Sequence, residues 1–78
     1  MASIHFDMIV FHEGDTYVAY CPELDVSSCG DTVDDARAHL RTAVRLFLEE
    51  AGYTPDGKGG YTPPRLVATE SATVAVGG

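Results

Sequence analysis

Apolar and polar positions change their period along this chain, and each change marks an element. Residues 3–12 (SIHFDMIVFH) begin with strict alternation, Ile4, Phe6, Met8 and Val10 on one side and His5 and Asp7 on the other. Ile9 and Phe11 then make the second side apolar as well, which predicts a strand half-buried at its start and covered on both faces at its end. Glu13-Gly14-Asp15 is a turn, and Thr16 to Cys21 (TYVAYC), rich in β-branched and aromatic residues, pairs back as a hairpin. Pro22 stops that strand, Leu24 tucks under the turn that follows, and Val26 to Cys29 is a short, edge-like third strand.

From Gly30 to Gly52 the period becomes that of a helix. Val33, Ala36, Leu40, Ala43, Val44, Phe47 and Ala51 recur at spacings of three and four and so form one stripe. Thr32 is placed to cap the first turn, with Asp34 and Asp35 beside the positive end of the helix dipole. Gly52 supplies the left-handed residue that closes a helix, and Pro55 forbids continuation. Residues 52–65 hold Gly and Pro without periodicity and read as a mobile loop. Residues 66–76 (LVATESATVAV) regain β character and predict a final strand beside the first, within reach of a second subunit. The expected order is β-β-β-α-β, a single α+β domain over 1–78 with an antiparallel sheet covered by one helix.

Seventy-eight residues leave little interior for such a layer. A homodimer or higher oligomer, with sheet edges or the flank around Leu46 at the contact, is therefore expected. Five Lys and Arg against twelve Asp and Glu give a net charge of −7, which disfavours a nucleic-acid backbone and suits a basic partner. No apolar run approaches a membrane span and the N-terminus lacks the pattern of a signal peptide, so the cytoplasm is the expected compartment. Cys21 and Cys29 are then expected to be free, buried thiols, and no His stands at metal-ligand spacing from either.

The run YVAYCPELDVSSCGDTVDDARAHLRTAVRLFLEE, residues 17–50, resembles the N-terminal domain of the HicB antitoxin family. The resemblance rests on an ordered set: a hairpin strand, Cys21-Pro22-Glu23-Leu24, Ser28-Cys29-Gly30-Asp31-Thr32 leading into the helix, and Asp35-Ala36 with Leu40 and Ala43 inside it. Asp35 stands where members usually carry Glu. The resemblance implies a partial RNase-H-like fold and a role in neutralising a small basic ribonuclease toxin of the HicA type. Many members continue into a DNA-binding domain, which is not expected within these residues.

Catalysis is not expected. Metal-dependent RNA hydrolysis needs several carboxylates converging on divalent ions, and nothing in the spacing of Asp7, Glu49 and Glu50 brings them together. Asp31, Asp34 and Asp35 are explained by dipole complementarity at a helix start, and His5, His12 and His39 share no spacing with a nucleophile. No catalytic residue, metal or cofactor is assigned. The candidate partner-binding residues are the acidic Glu23, Asp25 and Asp31. Arg37, Arg41 and Arg45 form an i, i+4, i+8 ridge that either meets an acidic group or is a solvated flank, and Leu46, off the stripe, marks a possible subunit contact. The expected function is non-catalytic occlusion of the basic face of a toxin. The alternative is a stand-alone oligomeric module that binds a small ligand or another protein.

Overall fold

Gly14 folds the first two apolar runs back on each other. In the computed structural model, which describes residues 4–77, Gly14 has φ +58° and opens a two-residue turn between β1 (Ile9–Glu13) and β2 (Thr16–Cys21). A positive φ at the first turn position matches the twist of a right-handed hairpin. The register runs from Ile9 opposite Tyr20 to Glu13 opposite Thr16. β3 (Val26–Gly30) pairs antiparallel on the other side of β2, from Cys21 opposite Val26 to Tyr17 opposite Gly30. The sheet order is thus β1-β2-β3, with β2 in the centre and β1 and β3 at the edges.

The helix α1 (Val33–Ala51) follows at once. Thr32 caps it, its Oγ1 accepting a hydrogen bond from Asp35 N–H at 3.0 Å, and Gly52 closes it in the left-handed conformation at φ +81°. Ala36, Leu40, Val44 and Leu48, a single i, i+4 ridge, are buried against Ala19, Cys21 and Leu24. The helix lies over β2 and β3 and barely reaches β1. Consequently Val10, on the helix-facing side, stays open, and Ile4, Phe6 and Met8 are only half-buried beside the core. The predicted stripe is displaced toward Leu48: Val33 is exposed, and Ala43, Phe47 and Ala51 form the flank.

Three expectations are corrected. The first strand begins at Ile9, and residues 4–8 run beside the core outside the ladder; position 3 lies outside the described residues. The reason is Pro22: continuing the register would set Asp7 opposite a residue with no N–H to give. The final strand, residues 66–76, is absent: this segment has no regular secondary structure, and its large apolar side chains Val67, Val74 and Val76 stand in solvent. β propensity alone does not make a strand without a paired edge. Finally, only Cys21 is a buried thiol, because Cys29 is exposed. Cys21 pairs with Val26 and Cys29 with Val18, so the two thiols sit on opposite faces of the sheet and are not positioned to bridge.

The stretch 52–65 is irregular yet tied by its own hydrogen bonds. Asp56 Oδ1 accepts from Thr54 Oγ1 at 2.8 Å and from Lys58 N–H at 2.9 Å, while Thr54 Oγ1 accepts from Gly59 N–H at 2.7 Å. Tyr61 then packs edge-on against Phe47 at 5.9 Å between ring centres.

Chemical denaturation should separate these contributions. Leu40→Ala, at a fully buried site, should cost about 2–5 kcal/mol. Thr32→Ala should cost about 1 kcal/mol through loss of the cap. Gly30→Ala should cost about 1–3 kcal/mol although its backbone is not left-handed, because the new Cβ would lie 2.6 Å from Ala36 N and force the helix off β3.

Candidate functional site

The turn between β2 and β3 is where the resemblance motif, a titratable cluster and the N-terminal segment meet. Pro22 ends β2, Leu24 is buried beneath the turn, and Asp25 completes it with φ +56°. Asp is among the few side-chain-bearing residues that enter this region readily. Its carboxylate accepts a hydrogen bond from Tyr20 Oη–H at 3.0 Å, which fixes the turn against the open face of β2. That bond, followed by burial and the nearby negative charges, holds the Tyr20 phenol above its usual value.

Glu23 closes the other side. Its carboxylate accepts the Asp7 N–H at 2.9 Å and 3.2 Å through its two oxygens, and the Cys21 thiol at 3.6 Å. The glutamate thus gives the Asp7 N–H an acceptor just past the end of the ladder and latches residues 4–8 to the sheet. Partial burial would raise the Glu23 carboxyl, but hydrogen bonds from the Asp7 N–H, its own backbone, the Asp7 carboxyl and Cys21 hold it below the ordinary range. Asp7 moves the opposite way: sharing its proton with Glu23, then burial and the like charge of Glu23, raise it. Burial pushes the Cys21 thiol up, with the Glu23 carboxylate adding to it, so Cys21 is a poor nucleophile.

The three acidic candidates do not form one patch. Glu23 and Asp25 sit at one end of β3, and Asp31 stands exposed past Gly30 at the other, about 20 Å away at strand rise. Glu23 has a structural task, whereas Asp25 and Asp31 present their charge to solvent.

The arginine ridge borders a second feature. Arg37 stands 4.0 Å from Asp34 and Arg45 3.9 Å from Glu49, both surface pairs of small worth. Arg41 and Arg45 also line an apolar cleft of about 260 Å³ floored by Ile4, Phe6, Val44, Leu48 and Tyr53. Sequence reading missed this cleft, because it depends on residues 4–6 crossing beneath α1. The available signal was Phe6 and Ile4 sharing the helix-facing parity with arginines flanking the stripe. Leu46 is 52% exposed and is not among the residues that line the cleft, although its neighbour Arg45 is. His39 Nδ1 lies 2.7 Å from the Cys29 carbonyl and ties α1 to β3. Among the described residues, no three His, Cys, Asp or Glu side chains come together as metal ligands, and no helix is long and apolar enough to cross a membrane.

No protein-family model, no curated protein and no solved structure matches the chain.

The Asp7–Glu23 pair makes a pH prediction with two signs. Glu23 titrates lower in the folded chain than in the unfolded one, so its contribution is complete at neutral pH and is lost as pH falls through the folded value. Asp7 titrates higher, so its contribution is present at low pH and is lost as pH rises through that raised value. Asp7→Asn, which keeps the backbone N–H and removes the repulsion, should therefore raise the melting temperature at pH 7, with the gain vanishing below about pH 3. Glu23→Ala should speed hydrogen exchange at the Asp7 amide roughly tenfold or more.

Proposed function

We propose that this chain is a non-catalytic protein-interaction module of the HicB antitoxin type, acting in the cytoplasm by covering the basic face of a small HicA-like ribonuclease. The observation that supports it most is that three residues of the resemblance motif each have their own structural task. Glu23 of the Pro-Glu-Leu turn latches the N-terminal segment, Gly30 lets the helix approach β3, and Thr32 caps it. The meander of three strands under one helix is the arrangement expected for the first part of a partial RNase-H-like domain. The net charge of −7, with Asp25 and Asp31 exposed, favours a basic partner. Occlusion requires shape and charge only, without a reacting group on this chain.

A second reading has its own support in the Arg41–Arg45 cleft. Arg41 and Arg45 over an apolar floor suit a small carboxylate with a hydrocarbon or aromatic body, which would share Arg45 with Glu49, itself part of the cleft lining and 3.9 Å from that guanidinium.

The deciding experiment is co-expression with the product of a neighbouring short basic gene, scoring growth rescue and co-purification. Under the antitoxin reading the complex should form and weaken as salt rises, the Debye length shrinking from about 10 Å at 0.1 M to about 3 Å at 1 M. Asp25→Asn, which tolerates the left-handed backbone and keeps an acceptor for Tyr20, and Asp31→Lys should each be tested alone. Because the two sites lie at opposite ends of β3, a slowed association rate in one of them identifies the end that meets the toxin. A toxic neighbour with neither rescue nor complex would overturn the reading and leave the cleft as the better account.

A further inference from the structure

The outer edge of β1 and residues 66–76 are two halves of an unmade contact. Among the described residues β1 pairs only with β2, so its other side offers a row of backbone N–H and C=O groups. Its side chains are unusually apolar for an edge, with Ile9, Val10 and Phe11 exposed, Phe11 at 48%. Phe11 and Ile9 stand opposite Val18 and Tyr20 on the face away from the helix, which no helix or strand among the described residues covers.

The tail has the matching pattern. Leu66, Ala68, Ala72, Val74 and Val76 share one parity, interrupted by Glu70, and Thr69, Ser71 and Thr73 share the other with Val67 and Ala75, so the stretch from 68 to 74 alternates as a half-buried strand does except at Glu70. Pro63 and Pro64 stiffen the approach and place the first usable donor at Arg65. Pro63–Arg65 share a shallow cleft with Ile4–Phe6, and Thr69, Glu70 and Ser71 share one with Ile9. Past Ser71 the tail gains nothing from its own chain: Val74 is 81% and Val76 90% exposed. Among the described residues, none from 62 to 77 takes part in a hydrogen bond.

Size supports the same conclusion. The radius of gyration is 15.2 Å, against about 11.5 Å for a compact domain of this length. The accessible surface of 6075 Å² exceeds by about 1,500 Å² that of a compact chain of this mass. A stable dimer of standard size needs about 800 Å² from each partner.

We propose that residues 66–76 of one chain add as a strand to the outer edge of β1 in a second copy, and that the exchange is reciprocal. A twofold pair satisfies both edges and both tails at once. The contact also avoids the acidic surface, since Glu13 in β1 and Glu70 in the tail are its only carboxylates, whereas a foreign partner would leave the tail unpaired. This assembly does not depend on which partner the acidic residues meet.

Light scattering at micromolar concentration should give twice the 8.3 kDa chain mass. Thr73→Pro together with Val74→Pro should give the single-chain mass with the helix signal in circular dichroism unchanged. Adjacent residues of a strand point their N–H groups to opposite sides, so one of the two prolines removes a ladder donor whatever the register. In the wild type, amide protection at 66–76 should fall on dilution while that of α1 persists. A wild type at the single-chain mass overturns the proposal. So does a proline variant that still dimerises, which would place the contact on the open sheet face. Tail protection independent of concentration overturns it as well, in favour of a strand docked on its own chain.

Discussion

The close seating of α1 on the centre of the sheet is the constraint on which the rest of this small structure depends. It is achieved with small residues. Ala19 and Ala36 have no exposed surface, and Gly30 lacks the Cβ that would meet the Ala36 backbone. With the helix held at that distance, Leu40 and Val44 reach the sheet and are removed from water, worth about 1.5–3 kcal/mol each. The same seating explains what is left open. A single helix cannot cover three strands, and one centred over β2 and β3 leaves β1 and the residues before it partly exposed.

Glu23 shows how an acidic residue in a surface turn can be mistaken for a contact residue. Its position in a surface turn and its charge suggest a rim group for a basic partner. Its two oxygens instead hold the Asp7 N–H, at the point where Pro22 ends the ladder. A carboxylate with two acceptor oxygens bridges such a gap better than an amide, and its lowered titration reflects that use. Of the three acidic candidates, Asp25 and Asp31 are the ones that present their charge to solvent, at separate ends of β3.

The sheet and the helix were largely legible, because each is written in a local period with local punctuation. Gly14 and Pro22 bound the hairpin strand, and Thr32 and Gly52 bound the helix. What escaped the sequence depends on distance in space. The displacement of the stripe toward Leu48 follows from where the helix crosses the sheet. The start of β1 at Ile9 follows from what Pro22 cannot donate, and the Asp7 N–H finds its acceptor in Glu23, sixteen residues along the chain. The cleft beside Arg41 and Arg45 requires residues 4–6 to pass under the helix, which no spacing within either segment encodes.

The tail raises the opposite difficulty, since its local signal is sound and its partner is missing. A strand is a relation between two edges, and alternation specifies only one of them. Residues 66–76 have the β-branched content and parity of a strand, yet they stand in water beside an edge that is itself unpaired. Leaving both open is unfavourable twice over, through exposed apolar side chains and through an edge free to pair with any passing chain. In a domain with so few buried residues, joining these two surfaces would add apolar contact to a small core. Apart from Glu13 and Glu70 the acidic residues stand outside that contact, so the proposed assembly and the proposed partner binding would draw on different parts of the same short chain.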